Sequence, residues 1–172
     1  MYFLRERFVN HIPTPAAFYA INGLANPAEE CRRLEKAIRE APVDVVCAGV
    51  GQNGHLAFND PPADFNTDAA YLDVGLDAEC RRQQLDEGWF PTLEAVPERA
   101  ISMSIRQILR AGRIVCLAPG ERKRTVVKAM VEGPLTPAMP ASSLRLHRDC
   151  RLLIDEPAAV DLSPLTRASA ER

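Results

Sequence analysis

Strands alternating with helices predict an α/β domain with a mostly parallel sheet. Three observations carry that reading. Val43 to Val50 is an apolar, β-branched run without polar alternation, the pattern of a central strand buried on both faces. Ile114-Val115-Cys116-Leu117-Ala118 repeats it, followed by a Pro119-Gly120 turn and a helical stretch from Glu121 to Glu132 that Gly133-Pro134 closes. An amphipathic helix leads into the first of these strands. The 172 residues suffice for one domain with a real core, and nothing in the length argues for two.

Taken in order, Met1 to His11 is apolar enough, through Tyr2, Phe3, Phe8 and Val9, to form one face of a packed helix. A proline-rich connector runs from Ile12 to Asn26. Asn26-Pro27-Ala28-Glu29 is then a helix start, because Asn26 can cap, Pro27 suits the first turn and Glu29 completes a capping box. Cys31, Leu34 and Ile38 share one face of this helix, which ends near Ala41-Pro42. Beyond the first buried strand, Tyr71 to Val74 reads as a short strand and Ala78 to Glu87 as a polar helix with Leu85 inward. Arg99 to Ser104 predicts another strand, and Ser104 caps a short helix ending near Gly112. A last apolar run, Leu152-Leu153-Ile154, precedes Asp155-Glu156-Pro157. Residues Ser163 to Arg172 read as a disordered tail.

Composition narrows the function classes. A net charge of −2 gives no reason to expect nucleic acid or a membrane surface as partner. No stretch has the unbroken apolar length of a membrane span, and the N-terminus lacks a signal-peptide pattern, so a cytoplasmic enzyme or binding domain is expected. The five cysteines are scattered, without Cys-x-x-Cys pairs, and Cys47 and Cys116 fall inside predicted buried strands. They read as small core residues rather than zinc ligands.

The chemistry concentrates after the first strand, in Gly49-Val-Gly-Gln-Asn-Gly-His-Leu-Ala-Phe-Asn-Asp-Pro61. Asn53, His55 and Asp60 follow one another closely at the C-terminal end of a parallel strand, where open α/β sheets place their ligands. A loop histidine that merely satisfies carbonyls is the alternative to an acid–base pair. Gly51 and Gly54, which let backbone approach a ligand, and Asp60, which can orient the imidazole, favour catalysis. A second candidate is Glu121-Arg122-Lys123-Arg124, where three cations crowd a helix start that already carries partial positive charge. Either an anion such as phosphate binds there, through Lys123 or Arg124, or the turn is simply solvated. With 18 Arg and 3 Lys in the chain, each lysine is the more informative.

The Gly49–Pro61 segment resembles the signature of the glucosamine-6-phosphate deaminase/isomerase family, Gly-x-Gly-x-(Asp/Asn)-Gly-His-(Ile/Leu)-Ala-Phe-Asn-(Glu/Asp)-Pro. Further landmarks follow in family order at Glu87-Gly-Trp-Phe, Val96-Pro, Val131-Glu-Gly133, Pro140 to His147 and Asp155-Glu-Pro157. The related 6-phosphogluconolactonases share a Gly-His in this loop but are the weaker match, since they do not usually continue Ala-Phe-Asn-Asp-Pro. The resemblance implies a Rossmann-like three-layer domain over residues 1–162, incomplete because the family's N-terminal strand–helix units, with a phosphate loop and a proton-shuttle aspartate, would lie before Met1.

The activity so implied is conversion of glucosamine 6-phosphate and water to fructose 6-phosphate and ammonia, impaired in this chain, without metal or organic cofactor. By the same resemblance His55 opens the sugar ring with Asp60 and Asn53 as partners, backbone near Gly49 and Gly51 contacts hydroxyls, and Lys123 binds phosphate. Asn53 replaces the Asp of the best-studied branch, and Asp60 is one methylene shorter than its Glu. Gln84 stands near where an Arg would help bind phosphate, with Arg81 or Arg82 as substitutes. The segment from Ala63 to Asp73 lacks the basic residues of that branch's allosteric site. The alternatives are a non-catalytic sugar-phosphate-binding remnant and an isomerase or lactonase on the same scaffold. The strand edge left unpaired would favour a homo-oligomer or poor solubility.

Overall fold

The computed structural model describes residues 2–13 and 15–170. A parallel sheet of β1 (Val45–Gly49), β4 (Arg113–Leu117) and β5 (Cys150–Leu153) has the order β1-β4-β5. A separate antiparallel pair joins β2 (Tyr71–Gly75) to β3 (Arg99–Met103), with Tyr71 opposite Met103 and Gly75 opposite Arg99. The helices are α1 (Tyr2–Arg7), α2 (Pro27–Arg39), α3 (Ala78–Asp86), α4 (Ile105–Leu109), α5 (Arg124–Glu132), α6 (Glu156–Ala159) and α7 (Pro164–Ala168). No helix among the described residues is long and apolar enough to cross a membrane.

Local chemistry accounts for most boundaries. Asn26 Oδ1 accepts from the Glu29 amide at 3.2 Å and Pro27 opens α2, as the capping pattern predicts. Ser104 Oγ likewise accepts from Gln107 N at 3.2 Å to start α4. Glu30, on the first turn of α2, is buried and binds back to the connector. Its carboxylate accepts from Asn22 N at 2.7 Å and from Arg33 Nε at 2.7 Å. Arg33 and the Asn22 amide hold the Glu30 carboxyl down at about 2, against the opposing effect of burial.

The core lies on one face of the parallel sheet. Ile114 and Cys116 of β4 are fully buried beneath Val126, Val127 and Met130 of α5, with Val46, Ala48 and Leu152 packed at its margin. Register brings these together, since Val46 pairs with Ile114 and Cys116 pairs with both Ala48 and Leu152.

Four expectations are corrected. First, β4 is the central strand and β1 lies at the sheet's edge, and β1 is not buried on both faces. Val45, Leu117 and Leu153 are 51%, 49% and 52% exposed, and Cys47 is exposed between them. No described helix covers that face, so apolar residues meet solvent there. Second, the stretch from Glu121 is a 3-10 turn to Lys123 before α5 begins at Arg124, which takes two of the three cations off the α-helix proper. Third, Leu4 and Phe8 of the N-terminal segment are exposed rather than packed, while the side chains of Tyr2 and Phe3 fall outside the described residues.

Fourth, Pro164–Ala168 form α7, where the sequence reading expects no helix. Ser163 caps α7 through Thr166 N at 3.3 Å with Pro164 in its first turn. Thr166 Oγ1 donates to Glu132 at 2.7 Å and Arg167 pairs with Glu156 at 2.7 Å, tying α7 to α5 and α6. Residues 171 and 172 fall outside the described residues.

Candidate active site

The loop after β1 is built around one imidazole. Gly51 N donates to the His55 carbonyl at 3.0 Å and Gly54 N donates to the Gly51 carbonyl at 3.0 Å, closing a tight turn. The turn folds the His55 ring down onto Gly51, where a Cβ would fall within van der Waals contact of three ring atoms. Only glycine leaves room for the ring. Gly54 adopts φ +89°, which favours glycine, and it too lacks space for a side chain, against Met139. Leu56 is fully buried and bridges both Val50 and Asn59. Asn59 Nδ2 then pins the loop to the second sheet through the Met103 carbonyl at 2.8 Å and Ser102 Oγ at 3.2 Å.

All three loop residues singled out from sequence converge. Asn53 Oδ1 accepts from the His55 amide at 3.0 Å, and Asn53 Nδ2 donates to Asp60 Oδ1 at 3.1 Å. His55 Nδ1 lies 3.1 Å from Asp60 Oδ1, with only 9% and 10% of the two side chains exposed. The approach is close but off the hydrogen-bonding direction, so Nδ1 is a buried nitrogen without a hydrogen-bond partner. Burial lowers the pKa of His55, outweighing the opposite pull of Asp60, and Lys123 adds to the lowering. At neutral pH the imidazole is therefore uncharged and able both to accept and to return a proton.

Lys123 joins the same end of the sheet. Its Nζ donates to the Val50 carbonyl at 2.6 Å, just beyond β1, and burial lowers its pKa against the opposing charge of Glu87. Its neighbour Arg124 is committed elsewhere, to Asp161 at 2.9 and 2.7 Å. Arg81 is engaged with backbone carbonyls. One of its terminal nitrogens donates to the carbonyls of Leu93 at 2.9 Å and Val96 at 3.1 Å. Gly49 ends β1 in an exposed position, whereas the Gly51 amide is already spent on the His55 carbonyl. What Gly51 supplies is the seat for the ring.

Sequence reasoning missed Asp77. It caps α3 by accepting from Cys80 N at 2.6 Å, donates its own amide to Asp60 Oδ2 at 3.2 Å and accepts from Asn53 Nδ2 at 3.3 Å. The available signal was local, an aspartate immediately before the helix predicted from Ala78. An open groove of about 470 Å³, walled by Phe58, Asp60, Pro62, Val74 and Asp77, leads to this cluster.

The parallel sheet thus carries a histidine–carboxylate pair and a lysine at its C-terminal edge. The chain belongs to the family described as glucosamine-6-phosphate isomerases/6-phosphogluconolactonase, whose model matches residues 1–153. It is 41% identical over 167 residues to the glucosamine-6-phosphate deaminase of Latilactobacillus sakei and 37% identical over 162 residues to that of Streptococcus equi subsp. zooepidemicus. Each match covers 94% of this chain and 67% of the relative. Among solved structures, a monomeric glucosamine-6-phosphate deaminase superposes with a TM-score of 0.86 at 34% identity, over 92% of this chain and 66% of that one. A 6-phosphogluconolactonase from Shewanella baltica shares the fold, with a TM-score of 0.66 at 19% identity over 88% of this chain and 61% of that one. The chain thus spans about two thirds of the length of the deaminases it matches.

Proposed function

We propose that the chain acts on an amino-sugar phosphate, converting glucosamine 6-phosphate and water to fructose 6-phosphate and ammonia. The observation that carries this reading is the buried His55 seated on Gly51 against Asp60, with Lys123 reaching the Val50 carbonyl beside it. Relatives at 37–41% identity are named as deaminases, whereas the lactonase likeness rests on fold at 19% identity.

With the neutral ring's proton on Nδ1, beside but not in line with Asp60, Nε2 of His55 is the basic nitrogen. It takes the proton of the anomeric hydroxyl and returns one to the ring oxygen, which opens the pyranose. Asn53 and Asp77 hold Asp60 in place for this step, and Lys123 receives the phosphate. Transfer of a proton between C1 and C2 requires a second base. None of the described residues is assigned to it.

A second reading is binding of sugar phosphates without turnover, since no described residue is assigned to the transfer between C1 and C2. Two measurements separate the readings. Calorimetry with a non-reactive hexitol 6-phosphate should show binding that Lys123→Met weakens at least ~10-fold, the loss of one charge-assisted contact. Ammonia release from glucosamine 6-phosphate that disappears in His55→Asn establishes the deaminase, and binding without release establishes the second reading. No binding, or hydrolysis of a 6-phosphogluconolactone in its place, overturns the proposal.

A further inference from the structure

One juxtaposition at this site is not used by the ring-opening chemistry. Cys80, in the first turn of α3, is fully buried, and its Sγ lies with His55 Nδ1 and an Asp60 carboxylate oxygen such that all three atoms fall within 4.8 Å of one another. The sequence separates Cys80 from His55 by a strand and a long loop, and reads it as a small core residue. Asp77 closes the gap, because it caps the turn that carries Cys80 and also donates its amide to Asp60.

We infer that His55, Asp60 and Cys80 form a binding site for a borderline-soft divalent cation of the zinc class. An imidazole, a carboxylate and a thiol suit Zn²⁺ or Co²⁺ and not the all-oxygen preference of Mg²⁺ or Ca²⁺. In a tetrahedral site with bonds of ~2.0–2.3 Å, donor atoms stand roughly 3.5 Å apart. The His55–Asp60 pair is already at 3.1 Å, so closing the set requires a side-chain adjustment on the order of 1 Å at Cys80.

Independent support comes from His55 Nδ1, which sits on a side chain more than nine-tenths buried, faces the other two donors and lacks a hydrogen-bond partner. A cation at the centre of the cluster would give that nitrogen the partner it lacks. The surroundings resemble a supporting shell, with Asn53 Nδ2 on Asp60 Oδ1 at 3.1 Å and Asp77 N on Oδ2 at 3.2 Å. Three protein ligands leave the fourth position to water, and of the three Asp60 borders the open groove.

On binding, the cation replaces the proton of Nδ1, which shifts to Nε2 by way of solvent, and displaces the thiol proton of Cys80 to solvent. The imidazole proton then resides on Nε2, the nitrogen that the ring-opening step needs as a base. The ion is therefore an inhibitor, not a cofactor, and this consequence alone rests on the proposed function.

The test uses Co²⁺ as a spectroscopic probe of the full chain. One equivalent of Co²⁺ should give tetrahedral d–d bands with a thiolate-to-cobalt charge-transfer band, reversed by Zn²⁺. Cys80→Ser and Cys80→Ala should each remove the charge-transfer band, and His55→Asn should weaken binding by ~10-fold or more. Cys47→Ser, which alters an exposed thiol on the uncovered sheet face, should change nothing. Circular dichroism confirms that the variants are folded. A missing charge-transfer band in the parent chain overturns the inference, as does a band that survives both Cys80 variants or vanishes with Cys47→Ser. Cobalt binding in a chain without deaminase activity would uphold the site and refute the proposed function. Activity unaffected by a bound ion would refute the inhibition alone.

Discussion

Gly51→Ala tests the seat of the imidazole more directly than changing the imidazole itself. A methyl group at Gly51 would stand closer than 3.0 Å to Cε1, Nδ1 and Nε2 of His55, whereas ordinary contact begins near 3.4 Å. Backbone bonds on both sides fix the turn, so the ring must give way. A retreat on the order of 1 Å is the size of misplacement that costs ~10²-fold in a positioned reaction. The overpacking itself should cost about 1–3 kcal/mol of stability.

The measurement is imidazole nitrogen NMR during a pH titration. It is tractable because the chain has three histidines, and His147 is marked out by a ring that bonds the Ala111 carbonyl at 2.8 Å and the Asp149 amide at 3.1 Å. In the parent chain His55 should titrate below the ordinary 6.5, because burial outweighs the attraction of Asp60. In Gly51→Ala the ring is pushed toward solvent, the largest cause of the lowering is relieved and the midpoint should rise. An unchanged midpoint, together with unchanged urea stability, would refute the argument that Gly51 is glycine to make room for this ring.

Two further outcomes follow from the charges. His55 has its folded pKa below the unfolded value of 6.5, so the folded state binds fewer protons in the interval between them. Its contribution is complete above 6.5 and is lost as pH falls from there through the folded value. Urea midpoints should decline over that interval in the parent chain and decline less in His55→Asn, and equal slopes would contradict the burial argument. Glu30 has the acidic counterpart, a carboxyl held at about 2 against an ordinary 4.5, so its stabilisation is present above 4.5 and fades toward 2. Glu30→Gln should lower stability near neutrality by about 2 kcal/mol, the scale of a lost charged hydrogen bond, and should flatten the acid limb of the melting curve. Thermal melts on both sides of 4.5 would settle the point, and a variant as stable as its parent would show that Arg33, half exposed, contributes little through this pair.

What was legible in the sequence was whatever neighbouring residues decide. Asn26 and Ser104 announced their helices because a cap acts within three residues. The loop from Gly49 to Pro61 announced its polar cluster because a short segment carries His55, its seat and its carboxylate partner. Lys123 stood out against a background of arginines, and it lies at the same strand end. The burial of β1 was misread for a physical reason, since apolarity records what a residue would lose in water, not whether anything covers it. Val45, Leu117 and Leu153 have the composition of a buried face and the exposure of a surface.

Cys80 is the more instructive residue. Its thiol is pushed up to about 12 by burial and by the nearby carboxylates of Asp60, Asp77 and Glu87, so without a cation it is a protonated, unreactive core group. That agrees with the sequence reading. Yet the carboxylates that disfavour a thiolate are charges a divalent ion would compensate, so one arrangement makes Cys80 inert alone and a ligand in company. No periodicity or spacing rule could expose this, because the contact runs through Asp77, whose cap on α3 and amide bond to Asp60 join two segments only after both have folded.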